Sequence, residues 1–267
     1  MLKPGLRDVE CFLLDMDGTF YLGENLIEGA LEFIEYLKKK NKTFLFLTNN
    51  SSKNRTQYAE KIRRLGLHIR DEDVLTSGEA SSIFISDKYS NPKIFLAGTE
   101  SLEEEFIKAN FTLVQENPDL VLLGFDTNLN YQKLWKLCDL IRTGIPFIAT
   151  HPDFNCPIEG GYMPDIGAVI AYIYASTGRK PDVIIGKPNR FIVDAAVKKT
   201  GFGIEKMAMV GDRLYTDIAL GQTSGILTVL VLSGETHMDE TVNSPFKADH
   251  IFEHLGAMTR WIQSSAE

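Results

Sequence analysis

Asp15 and Asp17 stand one residue apart at the end of the apolar run Cys11-Phe12-Leu13-Leu14, and Gly18-Thr19 follows at once. Carboxylates this close need a reason to coexist: a hard cation, a shared proton, or a division into acid and base. Other polar groups recur in the same setting, each directly after a β-rich run. They are Thr48-Asn49-Asn50, Lys187, and Asp212 with Asp217. The acids offer oxygen ligands suited to Mg²⁺, which takes one or a few carboxylates, keeps water and accepts a substrate phosphate oxygen. Thr48 and the amides after it can donate to phosphate, and Lys187 adds a positive charge beside it. A carboxylate in such company can attack phosphorus and form an acyl phosphate that water later opens. Taken singly, each group also reads as a turn, a helix cap or a loop lysine. Their joint occurrence, always after a strand-like run, favours a site.

The elements that must position these groups alternate short β-rich runs with helical periodicity, which predicts a parallel sheet covered by helices. Cys11–Leu14, Thr43–Thr48 and Val74–Thr76 read as strands, and Leu31, Ile34 and Leu37 mark a helix face between the first two. Tyr58, Ile62 and Leu65 mark another, closed by Gly66. A second alternating set begins near Lys93, with Ser101 and Glu104 as a capping box. From about 182 the first pattern resumes with strands ending at Gly186, Val210 and Leu232. Thr48 and Lys187 are separated by roughly 140 residues, far more than the ~30 of one βαβ unit. The spacing therefore predicts a discontinuous core, residues 1–81 and 182–267, interrupted by a smaller α/β domain over 82–181.

Composition narrows the function. At 267 residues, 44% hydrophobic and 24% charged, the chain is an ordinary globular one. Its 28 basic against 36 acidic residues, a net charge of -8, argue against a nucleic-acid surface. Cys11, Cys138 and Cys156 lack metal or redox spacing and fit a reducing compartment. No apolar run approaches the ~20 residues needed to cross a bilayer, and the first is cut at Asp15, too early for a signal-peptide core. A cytoplasmic protein without membrane partners is expected. Gly-x-x-x-x-Gly-Lys-Ser/Thr, a complete dinucleotide fingerprint, Gly-x-Ser-x-Gly and His-Glu-x-x-His are all missing from the sequence.

The ordered set Asp15-Met-Asp-Gly-Thr19, Leu47-Thr-Asn-Asn50, Gly186-Lys-Pro188 and Gly211-Asp-Arg-Leu-Tyr-Thr-Asp217 resembles the four motifs of the haloacid dehalogenase-like phosphohydrolases. Across essentially the whole chain it is similar to the NagD and 4-nitrophenylphosphatase-like branch, whose cap lies between the second and third motifs. The resemblance implies a Rossmann-like doubly wound parallel sheet with an inserted α/β cap. It implies Asp15 as the phosphorylated nucleophile and Asp17 as the acid/base. It also implies Mg²⁺ held by the Asp15 carboxylate, the Asp17 carbonyl and Asp212, with Asp217 orienting that shell. Thr48, Asn49 and Asn50 would bind the phosphoryl group, and Lys187 would steady phosphate and Asp15.

The expected activity is hydrolysis of a small phosphorylated metabolite: a sugar phosphate, nucleoside monophosphate, glycerol phosphate or pyridoxal phosphate, with 4-nitrophenyl phosphate as a generic substrate. A phosphotransferase or phosphomutase, or a binding protein without catalysis, is the alternative. In the cap, His151-Pro-Asp153-Phe-Asn-Cys-Pro157 matches the position of the family's specificity loop, and it also reads as a proline-rich turn. His151 has no partner at metal-ligand spacing. Asp165 either meets substrate or caps the helix that begins near Gly167. The resemblance also implies a homodimer through the cap.

Overall fold

The computed structural model describes residues 3–158 and 160–264, and the chain divides into two compact units. The first comprises Met1–Thr48, Ala59–Leu75 and Lys187–Glu267, the second Asn49–Tyr58 and Thr76–Gly186. Both are α/β.

The first unit is built on a six-stranded sheet in the order His250–Phe252, Leu227–Val231, Met207–Gly211, Cys11–Leu14, Thr43–Thr48 and Val74–Thr76. Cys11–Leu14 runs parallel to both its neighbours, with Leu14 level with Val210 on one side and Phe46 on the other. This register sets Asp15, Asp212 and Thr48 at the same end of the sheet. Every residue of Cys11–Leu14, Met207–Gly211 and Leu227–Val231 is buried. Strands covered on both faces have no polar side to present, so they appear in the sequence as unbroken apolar runs. The Ala30–Lys39 helix buries Phe33, Ile34 and Leu37 and packs on the Thr43–Thr48 strand and the Leu255–Ser264 helix. Its Phe33 ring meets Phe12 edge-on at 5.4 Å. Truncating such a ring to alanine costs about 3–5 kcal/mol, so this contact ties the helix to the strand that carries Asp15.

The second unit holds a five-stranded sheet in the order Val183–Ile184, Phe147–Ala149, Leu120–Leu123, Lys93–Ala97 and Thr112–Leu113, all its pairs parallel. Phe95, Val121, Leu123, Leu137, Ile141 and Phe147 belong to its core, with Ile166 and Ile173 of the Ile166–Thr177 helix. The stretch read as a proline-rich turn leads into an antiparallel hairpin, Asn155–Ile158 with Gly161–Pro164. Its two strands form a sheet of their own, so Pro157, lacking an N–H, stands on an edge where proline is tolerated.

One predicted helix start moves. The expected capping box at Ser101 and Glu104 is replaced by Thr99, whose hydroxyl accepts the Leu102 amide at 3.4 Å, and the helix begins at Glu100. Thr99 keeps extended backbone as the chain leaves the Lys93–Ala97 strand, so it reaches the unpaired first-turn amides before Ser101 can. No helix among the described residues is long and apolar enough to cross a membrane.

Candidate active site

In the first unit, parallel pairing brings the polar strand ends together. The Asp15 amide donates to the Val210 carbonyl at 2.9 Å, continuing the ladder one residue past Leu14. The chain then turns sharply at Gly18, whose φ of +88° and amide bond to the Tyr21 carbonyl at 2.8 Å define a tight loop. A side chain is disfavoured at that φ and would also overlap the Asp212 carboxylate. Asp17 lies on the same loop and is exposed.

Lys187 anchors the centre. Its ammonium donates to Asp15 Oδ1 and, at 2.7 Å, to Asp217 Oδ1, while the other Asp217 oxygen accepts the Arg213 amide at 3.1 Å. Asp217 reaches this position because the Leu214–Ile218 segment is wound wide, the Ile218 amide donating to the Arg213 carbonyl five residues back at 3.2 Å. Such wide turns recur at functional sites. Asp212 accepts the Glu235 amide at 2.7 Å on Oδ2 and the Thr19 hydroxyl at 3.4 Å on Oδ1.

Carboxylate oxygens of Asp15, Asp212 and Asp217 all lie within 4.8 Å of one another. Burial pushes Asp15 up to about 8; Lys187 pulls it down, while Asp217 and Asp212 add to the push. Asp212 rises to about 6 from burial and the Asp217 charge, against the Glu235 amide, Arg213 and Lys187. Burial works against the Lys187 ammonium, but Asp15 and Asp217 more than reverse it and hold its proton more tightly than in free lysine. Surrounding protein also raises Asp17, against Lys61 and Arg213.

A hard divalent cation fits this donor set. Crowded, poorly hydrated carboxylates gain most from a doubly charged oxygen-binding ion. Asp212 is 1% exposed, and a Cβ at either Gly18 or Gly234 would overlap its Oδ2, so the glycines form a cradle that leaves room only for hydrogen. Asp217 has both oxygens engaged by Lys187 and the Arg213 amide, which leaves Asp15 and Asp212 better disposed to take a cation.

Thr48 closes the first segment of the first unit, and Asn49 and Asn50 open the second unit. Within that second unit the Asn49 side-chain Nδ2 donates to both Asp153 oxygens at 3.2 and 3.1 Å, and the Ser77 hydroxyl donates to the Asn49 backbone carbonyl. Asn50 Oδ1 accepts the Ser52 amide at 2.9 Å and the Ser52 hydroxyl at 2.7 Å. His151, Asp153 and Asp165, dispersed in the sequence, have ligand atoms within 4.8 Å of one another. His151 is fully buried, with Nε2 bonded to Asp165 and Nδ1 to Thr150 Oγ1, both at 3.0 Å. Asp165 also accepts the Ile166 amide at 2.6 Å as the cap of the Ile166–Thr177 helix. With Asp165 as acceptor, Nε2 carries a proton, and in the neutral imidazole Thr150 donates to Nδ1. Ser51 then donates to Thr150 at 2.9 Å and accepts the Phe125 amide at 2.9 Å, so the relay has a single direction.

Sequence reasoning missed two features. The spacing of His151 and Asp165 gave no hint that the hairpin would bring them together. The loop Ser233–Thr236, just past the strand expected to end at Leu232, also joins the site: Ser233 Oγ donates to the Gly18 carbonyl at 2.8 Å and the Glu235 amide holds Asp212. A Ser-Gly pair directly after an apolar run at the site's end of the sheet was the available signal.

Known proteins resemble this chain over nearly its whole length. The family model described as haloacid dehalogenase-like hydrolase matches residues 12–112, and a second model of the same kind matches residues 184–258. The solved structure of a 4-nitrophenylphosphatase from Thermotoga maritima superposes with a TM-score of 0.94 at 48% identity, covering 97% of this chain and 99% of that one. An acid sugar phosphatase of Staphylococcus haemolyticus is 33% identical over 98% of this chain and 100% of its own length. The 5'-nucleotidase YutF of Bacillus subtilis is 34% identical over 96% and 99%. The chain therefore belongs to the haloacid dehalogenase-like hydrolases, in their NagD and 4-nitrophenylphosphatase branch, and is a phosphoric monoester hydrolase.

Proposed function

We propose that the protein is a Mg²⁺-dependent phosphatase that hydrolyses a small phosphomonoester through an aspartyl-phosphate on Asp15. The observation that carries this reading is the placement of Asp15 against Lys187, with Asp212 and Asp217 beside it at one end of the parallel sheet. An Asp15 oxygen attacks phosphorus while the bond to the leaving oxygen breaks. Asp17, raised above the ordinary carboxylate range, delivers its proton to that oxygen. It then takes a proton from the water that cleaves the acyl phosphate, releasing inorganic phosphate and restoring Asp15. Lys187 offsets the repulsion between the nucleophile and an anionic ester. Thr48, Asn49 and Asn50 hold the phosphoryl oxygens. Asp15, Asp212 and the Asp17 carbonyl would hold Mg²⁺, with Asp217 fixing their orientation. Bound there, the ion supplies positive charge to the transferring phosphoryl group.

The smaller domain, expected over 82–181, acts as a cap that selects the leaving group, with His151, Asp153 and Asp165 shaping that choice. The names of the relatives, acid sugar phosphatase and 5'-nucleotidase, favour sugar phosphates and nucleoside monophosphates for the first panel, with glycerol phosphate and pyridoxal phosphate beside them. A homodimer through that domain and a cytoplasmic location belong to the same proposal. Tyr131 and Trp135, one helical turn apart and 72% and 63% exposed, support the dimer, and sedimentation velocity tests it.

The deciding experiment measures phosphate release from 4-nitrophenyl phosphate and the panel, with Mg²⁺ or EDTA, for wild type and Asp15→Asn. Turnover is expected to need the metal and to fall by at least roughly 10⁴ in the variant. Full turnover by Asp15→Asn would overturn the covalent route.

A further inference from the structure

Glu235 lies outside every motif that marks the site, yet both ends of this residue are committed to it. Its amide donates to Asp212 Oδ2 at 2.7 Å. Its carboxylate accepts the Tyr215 hydroxyl at 2.7 Å on Oε1 and is ion-paired with Arg213, whose Nε lies 2.9 Å from Oε2. Those two residues flank Leu214 on the wide turn that follows Asp212, and the Arg213 amide holds Asp217. The loop carrying Glu235 is pinned on either side, by Ser233 on the Gly18 carbonyl at 2.8 Å and by the Thr236 amide on the Asp212 carbonyl at 3.3 Å. Gly234 lies so close to Asp212 that a Cβ would overlap its carboxylate. Sequence, loop and turn thus close a ring around one acid.

We infer that Glu235 is a positioning residue: its side chain, tethered to Arg213 and Tyr215, fixes the backbone amide that orients Asp212 for a divalent cation. This rests on the proposed role of Asp212 as a cation ligand. The Glu235 side chain is 46% exposed, and an ion pair that open contributes about 0–1 kcal/mol to folding. Cutting the tether therefore acts on the aim of Asp212 rather than on the fold. Groups that orient a metal ligand typically change affinity 10–100-fold when removed.

The test is binding of Mn²⁺ to the full chain, followed by the electron paramagnetic resonance signal of the free ion, for wild type, Glu235→Ala, Glu235→Gln, Tyr215→Phe and Asp212→Asn. Thermal unfolding is recorded alongside. The dissociation constant is expected to rise by about tenfold in Glu235→Ala and by less in Tyr215→Phe and in Glu235→Gln, whose oxygen can still accept the Tyr215 hydroxyl but whose uncharged amide gives up the Arg213 ion pair. Melting temperatures without metal should stay close to that of wild type. Glu235→Ala binding Mn²⁺ as tightly as wild type overturns the tether. Tyr215→Phe as tight as wild type together with Glu235→Gln as weak as Glu235→Ala also overturns it, because the effect is then one of charge and not of the tether. Wild type that binds no Mn²⁺, or Asp212→Asn that binds as well as wild type, removes the cation reading of the site and this inference with it.

Discussion

Replacing Asp212 by asparagine should stabilise the metal-free protein at neutral pH while abolishing its response to a divalent cation. Asp212 is 1% exposed and its carboxyl is raised from 3.8 to about 6, chiefly by burial and by Asp217. A pKa higher in the folded state means that folding favours the protonated form. The associated stability is fully present below about pH 4 and is lost as pH rises toward about 6. Above that range, ionised Asp212 costs the fold roughly 3 kcal/mol, at 1.36 kcal/mol for each pH unit between the two values. The amide keeps the shape and still accepts the Glu235 amide, but it loses the charge on a 2.7 Å bond, a loss of about 1 kcal/mol. The net gain is about 2 kcal/mol, or roughly 5 °C in melting temperature for a chain of this size. Circular dichroism melts in EDTA from about pH 4 to about pH 8 read this directly. The gain should vanish at the acid end, and added Mg²⁺ should raise the wild type but not the variant. A variant less stable than wild type at neutral pH in EDTA, or an advantage that grows on acidification, would refute the reasoning.

Two further outcomes concern lysines whose charge acts on the site's acids. Lys187→Met leaves Asp15 and Asp217 facing each other without their cation, so activity should be lost and the metal-free protein destabilised by about 3–5 kcal/mol, seen in urea unfolding. That loss should shrink as the pH is lowered and the acids take up protons. Lys61, 3.9 Å above the Tyr21 ring, pulls the Asp17 carboxyl down. Lys61→Met should therefore move the alkaline fall of kcat/KM for an alkyl phosphate to higher pH, and a shift to lower pH would contradict Asp17 as the acid.

Much of the site was legible because parallel sheets are plain about their ends. Asp15, Thr48 and Asp212 each close an apolar run, and once Cys11, Met207 and Thr43 pair in register the three ends must fall level. Glu235 was not legible, because it contributes a backbone amide, which every residue but proline carries, and its side chain binds residues on a different turn. Asp217 was readable as a fourth acid, but the wide turn that swings it under Lys187 leaves no periodic trace in five residues. The His151–Asp165 pair depends on a hairpin whose strands are too short and too exposed to alternate clearly. Thr99 displaced Ser101 as a cap because both are good caps and only the exit angle of the preceding strand chooses between them.

The division of the chain has a practical side for anyone building chimaeras of such enzymes. The second unit is made of two pieces, Asn49–Tyr58 and Thr76–Gly186, and they are sewn together: Asn49 to Asp153 and Ser77, Ser51 to Thr150. A transplant of the longer piece alone would sever every one of these stitches. The short piece has to travel as well, and its first residue leaves the host directly after Thr48, while the longer one rejoins the host directly before Lys187. With two more joints, after Tyr58 and before Thr76, Ala59–Leu75 stays with the recipient together with Asp15, Asp17, Thr48, Lys187, Asp212 and Asp217, while Asn49 and Asn50 come with the donor.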